Sequence, residues 1–269
     1  QGNFEDDIKL CQSLITRARE EVRTLPEDPF YVAMENNGKS DNDYLGEKVA
    51  FDKTLNNILS RTGGADFAGF FAGGPAIRAT KNSKGQDHWF STENFFVDYS
   101  LYTVNAEDEN KAVKSVFSEN KWDDARFSTN LQTSLNQLSL MKKKSHSVKP
   151  GAYRVYLAPG AVPDLINMFS WNALSFSALK RGQSALQKVY DKEKTLSKHF
   201  TLKENFALGL SPQFNSLGEV SQKELTLIDK GELKTLLISK RAAKEYGVAS
   251  NGSDISSWGT EYMRSPEVL

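Results

Sequence analysis

Phe95, Val97, Tyr99 and Leu101 alternate with Phe96, Asp98, Ser100 and Tyr102, which makes one face of this stretch apolar and the other mixed. A period of two belongs to a strand with one covered side. Further on, Phe127, Leu131, Leu135 and Leu138 recur at i, i+4, i+8 and i+11, the spacing of an apolar stripe on a helix. A chain that changes period in this way, with no internal repeat, is constrained to an α+β fold: antiparallel sheets with helices packed on them.

The remaining segments fit that frame. Phe4, Ile8, Cys11, Ile15, Ala18 and Val22 fall at helical spacing and predict an amphipathic helix, with Cys11 packed on its apolar stripe. Residues 24–44, carrying Pro26, Pro29 and Gly38, read as a loop. A second helix is expected from Leu45 to Arg61, with Gly63 as its stop. Ala76 to Thr80, His88 to Thr92 and Phe95 to Thr103 read as strands, the first two joined through the Lys81-Asn-Ser-Lys-Gly85 turn. Asn105, Glu107, Asp108 and Glu109 form an acidic loop. The helix carrying Phe127 to Leu138 should open near Asp123 or Asp124 and close on Lys142-Lys143-Lys144, the charge order that a helix dipole favours. That order makes the lysine run a solvated helix end.

Pro150 and the lack of period from Ser145 to Gly151 place a domain boundary there, giving domains 1–148 and 149–269. The second region opens with a predicted strand, Tyr153 to Leu157, and a turn at Ala158-Pro159-Gly160. A helix follows, with Val162, Leu165, Ile166, Phe169, Ala173 and Phe176 on its stripe, broken or turned at Arg181-Gly182-Gln183-Ser184. Leu225 to Ile228 and Leu233 to Ile238 flank Asp229-Lys230-Gly231-Glu232, a hairpin signal. Ala242 to Tyr246 reads as a short helix, before a turn at Ser250 to Ser253.

Composition narrows the function. The 34 Lys+Arg balance 34 Asp+Glu, so no basic surplus points to nucleic acid. No apolar run is long enough to predict a membrane span. Cys11 is the single cysteine, which removes cysteine clusters and intrachain disulfides and fits a cytoplasmic protein. His88, His146 and His199 are far apart in sequence and form no metal-binding spacing. There is no Gly-x-Ser-x-Gly elbow and no phosphate-binding Gly-x-x-x-x-Gly-Lys loop.

The ordered set Gly151-Ala-Tyr-Arg-Val-Tyr-Leu-Ala-Pro159, the following helix, Arg181-Gly-Gln-Ser184, the Leu225 to Ile238 hairpin and Ala249-Ser-Asn-Gly252 resembles the TldD/PmbA family. The Lys81 to Gly85 turn and its aromatic strand resemble that family's N-terminal domain. The resemblance implies a two-domain protein, longer than this chain at both ends, that pairs with a related subunit in a metalloprotease complex linked to peptide maturation or degradation and to modulation of DNA gyrase. In the catalytic branch, His-Glu-x-x-x-His lies on the helix before the Arg-Gly-Gln-Ser segment. Counting back places Asn167-Met168-Phe169-Ser170-Trp171-Asn172 there. Asn167, Met168 and Asn172 are then degenerate metal-motif positions, for amides are poor zinc donors and a thioether is no general base.

The chain therefore resembles the PmbA/TldE-like non-catalytic branch, with no metal or other cofactor. Its expected partners are a TldD-like catalytic subunit and an extended peptide, with no nucleic acid and no membrane. Arg181, Gly182, Ser184, Asn251 and Gly252 are expected as peptide-binding or structural positions. The alternatives are an independent metal-dependent peptidase with an unrecognised site and a protein-interaction modulator of DNA gyrase.

Overall fold

The computed structural model describes residues 4–44, 46–47, 49–158 and 160–269. The expected helix start at Leu45 and Pro159 of the expected turn lie outside them. The chain divides into two compact units, Gln1–Ala33 and Met34–Leu269.

The first unit is a helix, α1 (Phe4–Glu21), followed by a 3-10 turn at Val22–Thr24. Glu5, Asp6 and Asp7 occupy its first turn, where the helix dipole favours acids. The expected packing of Cys11 is not observed: no residue of α1 is buried and Cys11 is exposed. Periodicity identifies the side chains that share a face, but burial requires a surface to receive them.

The second unit begins with β1 (Lys39–Tyr44), α2 (Phe51–Arg61), β2 (Asp66–Lys81), β3 (Asp87–Val104) and β4 (Asn110–Glu119). β3 is the spine of a four-stranded sheet. β2 runs antiparallel along its whole length, from Asp66 opposite Tyr102 to Lys81 opposite Asp87. On the other side, β1 lies parallel to Asp87–Thr92 and β4 antiparallel to Phe95–Val104. The expected strands 88–92 and 95–103 are thus one continuous strand. β1 falls in an expected loop, because Lys-Ser-Asp-Asn-Asp-Tyr has no alternation and owes its strand state to backbone pairing.

α3 (Asp124–Met141) is capped by Asp123, whose carboxylate accepts from the N–H groups of Ala125 and Arg126. Phe127, Leu131 and Leu138 of α3 and Ile58 of α2 pack with Phe95, Val97, Tyr99 and Leu101 of β3 in one apolar cluster. Tyr99 is 1% exposed, and its hydroxyl meets Asn130 Oδ1 at 2.6 Å and Ser134 Oγ at 2.9 Å. A buried phenol keeps its hydrogen bonds in this way.

Residues 151–158 carry no regular secondary structure and are exposed, so the expected strand Tyr153–Leu157 is not formed. Alternation is a tendency; a strand exists only with a neighbour in register. The expected helix over 162–176 is two helices, α4 (Val162–Phe169) and α5 (Phe176–Lys180), followed by α6 (Gln187–Tyr190). β5 (Leu202–Asn205), β6 (Glu224–Asp229) and β7 (Glu232–Leu233) come next. The β6–β7 hairpin turns through Lys230 (φ 48) and Gly231 (φ 81), both left-handed.

α7 (Lys240–Tyr246), β8 (Asp254–Ile255), β9 (Glu261–Tyr262) and β10 (Pro266–Val268) complete the chain. The second large sheet has the order β10-β5-β6-β7. Its core gathers Ile166, Leu174, Leu179, Leu202, Leu227, Ile228 and Leu237.

Candidate functional site

Pro163 in the first turn and Asp164 three residues after the N-cap start α4, both favourable at a helix N-terminus. Ile166 turns into the core, at 6% exposure, and Asn167 turns toward a groove of about 870 Å³. Tyr156, Leu157, Asp164, Met263, Pro266 and Val268 also line that groove. Apolar walls with one amide (Asn167), two hydroxyls (Tyr156 and Ser170) and one carboxylate (Asp164) suit binding an extended segment.

The degenerate positions do not share one helix. α4 ends at Phe169, Met168 is 56% exposed, and Asn172 lies beyond the helix in a left-handed conformation (φ 78). Asn is among the residues that adopt it at low cost. Among the described residues, no three His, Cys, Asp or Glu side chains come together in a metal-holding group. Asn167, Met168 and Asn172 do not fit a zinc ion, since none supplies an imidazole, thiolate or carboxylate.

Arg181 to Ser184 terminate α5. The Gly182 N–H donates to Leu179 O and the Gln183 N–H to Ala178 O, the paired bonds of a Schellman stop, with Gly182 at φ 70. Arg181 Nη2 donates to Gly259 O at 3.1 Å, and Ser184 Oγ to Ala173 O at 2.6 Å. A Cβ on Gly182 would meet nothing within 4 Å. Gly182→Ala is therefore expected to cost only the left-handed backbone, about 1 kcal/mol, measured by urea unfolding.

Asn251 acts as a backbone splint. Its Nδ2 donates to Leu236 O at 2.7 Å and its Oδ1 accepts from Ile238 N at 2.9 Å. Gly252 (φ 78) presents its carbonyl to Asn215 Nδ2, Ser221 Oγ and Arg264 Nη2. The structure thus brings Asn251 and Gly252 together with Arg264, apart from the hydrogen bonds that hold Arg181 and Ser184.

Two buried carboxylates escape a reading of the sequence alone. Glu261, 1% exposed, accepts from Ser175 Oγ, from Ser177 Oγ at 2.8 Å and from Ser239 Oγ at 2.7 Å. Ser175 and Ser239 are also the N-caps of α5 and α7, so two helix N-termini converge on one anion. Glu204 accepts from the N–H groups of Arg264 and Ser265. Burial pushes the Glu204 carboxyl above its ordinary pKa and the Arg264 guanidinium below its own, the latter lying 4.7 Å over the Phe206 ring. Ser before a helical run was the available signal for the caps; Glu261 had none, because its partners are 22 to 86 residues away.

Residues 150–268 match the family model of the PmbA/TldA metallopeptidase C-terminal domain. That segment is similar to the C-terminal domain of the TldD/PmbA family. Three solved structures share the fold. A proposed modulator of DNA gyrase from Bacteroides thetaiotaomicron is 20% identical with TM-score 0.74, over 92% of this chain and 60% of that one. TldE from Thermococcus kodakarensis is 17% identical with TM-score 0.68, over 95% and 61%. A second proposed gyrase modulator, from Thermotoga maritima, is 15% identical with TM-score 0.69, over 88% and 57%. The chain spans about three fifths of the length of these structures. No curated protein matches it. Among the described residues, no helix is long and apolar enough to cross a membrane.

Proposed function

We propose that this chain is a PmbA/TldE-like, non-catalytic subunit that completes a peptide-binding cavity beside a TldD-like catalytic subunit in the cytoplasm. The observation that carries the reading is the chemistry of Asn167, Met168 and Asn172, which offer neither a zinc donor set nor a base for zinc-bound water. The family match and the fold shared with a protein named TldE support it. The start of that match at residue 150 also supports a division into domains 1–148 and 149–269.

An extended peptide would lie in the α4 groove, beside β10. β10 ends the order of its sheet, so it offers main-chain groups for strand addition, with the groove to take alternate side chains. Arg181, Gly182, Ser184, Asn251 and Gly252 would then support the cavity wall from behind. The test is the zinc content of the full-length parent protein after incubation with zinc and dialysis. Less than about a tenth of an equivalent is expected, together with no peptidase activity until a TldD-like subunit is added. Close to one tightly bound equivalent would establish an independent metallopeptidase instead.

Modulation of DNA gyrase is a second reading, favoured by the names of two of the structures that share the fold. The balanced charge of the chain favours protein contacts over DNA contacts for that role.

A further inference from the structure

We propose that a second cavity, of about 510 Å³, anchors the C-terminal carboxylate of a bound peptide through the Arg78 guanidinium and the Thr80 hydroxyl. This assignment rests on the peptide-binding reading above and names the chemical group that fixes the peptide's end. Met263 lines both this cavity and the α4 groove, so the two meet at one side chain. The volume lies within the roughly 300–1,000 Å³ of small-ligand sites.

β2 supplies the donors. Arg78 and Thr80 are two residues apart and share one face of the strand, opposite Phe90 and His88 of β3. That face is covered at this end of the sheet: Phe90 is 3% and His88 1% exposed, and the His88 ring stacks on Phe214 with centroids 5.2 Å apart. Phe214 also lines the cavity, with Pro212 and Met263. In such apolar surroundings a charge-assisted hydrogen bond is stronger than in water.

The hydrogen bonds already made select an anion. Asp254, the carboxylate in the lining, accepts from Ser216 N at 3.0 Å, Ser216 Oγ at 2.7 Å, Ile255 N at 3.0 Å and the Tyr262 hydroxyl. Four donors fill its lone pairs, so it has little capacity left for an ammonium group. Asn215 is committed likewise, its Oδ1 to Leu217 N and Glu219 N and its Nδ2 to Gly252 O and Ser253 O. Arg78, by contrast, donates from Nη1 to Ile77 O, and Thr80 Oγ1 accepts from Gln86 Nε2 at 3.3 Å. Their other N–H groups and the Thr80 O–H are uncommitted among the described residues, and a carboxylate accepts from such groups.

Charge sets the valence of the ligand. Arg264 also lines the cavity, and its Nε is buried without a partner. Burial outweighs the nearby Glu204 and Asp254 and holds its guanidinium below the ordinary pKa, so an added anion would relieve it. The charged side chains of the lining are thus Arg78 and Arg264 against Asp254. One further negative charge balances them, which fits a carboxylate and disfavours a phosphate dianion.

Fluorescence anisotropy of the full chain tests this with an N-terminally labelled Thr-Val-Ser-Val-Ala-Leu hexapeptide. Three forms are compared: the free acid, its C-terminal amide, and an amide with Glu in place of the final Leu, which carries a carboxylate on the side chain alone. The free acid is expected to bind about 10-fold or more tightly than either amide. Arg78→Gln should bring the acid down to the affinity of the Leu amide, and Arg78→Lys should restore part of the difference. Lys84→Gln, which removes a charge from the neighbouring turn, should leave the difference intact. Equal binding of the free acid and the Leu amide overturns the anchor while the peptide-binding reading stands. A preference that survives Arg78→Gln, or falls equally with Lys84→Gln, also overturns it. Binding of the Glu amide as tight as that of the free acid overturns the assignment to the chain terminus. Binding of none of the three overturns the anchor and the peptide-binding reading together.

Discussion

Glu261→Ala is expected to lower the stability of the 34–269 unit by about 3–5 kcal/mol, the largest effect of any single substitution considered. The carboxylate is 1% exposed and holds three serine hydroxyls, so its removal leaves buried donors from two segments, the start of α5 and Ser239, without an acceptor. Each charge-assisted bond is worth about 1.5–3 kcal/mol, and the relief of a desolvated charge offsets part of the sum. Two N-terminal ends also lose the anion that their dipoles favour. Calorimetry should show Tm falling by roughly 10 °C. Glu261→Gln keeps the shape and one carbonyl acceptor, and should lose about half as much. A loss below about 1 kcal/mol for the alanine variant would mean that the serines find other partners and that the anion does not organise the domain.

Gly252→Ala should cost about 3 kcal/mol, although it adds only a methyl group. The residue sits at φ 78, and a Cβ there would lie 2.6 Å from Ser221 Oγ, 2.8 Å from Ser221 Cα and 3.0 Å from Ser221 N. The backbone strain contributes about 1–2 kcal/mol and the overlap with main-chain atoms, which cannot rotate away, about 1–3 kcal/mol. Denaturant unfolding of Gly252→Ala and Gly182→Ala side by side isolates the second contribution, since both glycines are left-handed but only Gly252 is crowded. If Gly252 served mainly to admit a peptide, the alanine variant would keep its stability and lose binding. Equal, small losses for the two variants would show that Ser221 moves aside.

Reading the chain as a string identifies the elements that carry their own signal. α3 is legible because its apolar period, its Asp123 cap and its flanking charges agree, and β3 because its alternation is nearly uninterrupted. The β6–β7 hairpin is legible from four turn residues, two of which take the left-handed conformations that such a turn requires. The resemblance of residues 150–268 to the TldD/PmbA C-terminal domain was readable there too, from an ordered set of short motifs, and the chemistry of Asn167, Met168 and Asn172 is a property of the residues themselves.

What the sequence could not determine depends on neighbours that are distant along the chain. β1 has no alternation to detect and is a strand only because β3 offers a parallel partner. Tyr153 to Leu157 alternate well and form none, since no described strand is in register with them. The stripe from Val162 to Phe176 suits one helix, yet Asn172 turns left-handed and splits it in two, which moves Asn172 off the helix that carries Asn167. The Glu261 cluster is the clearest case. Local sequence sets propensity and period over a few residues, whereas a buried carboxylate is tolerable only once the fold has carried donors to it from two separate segments.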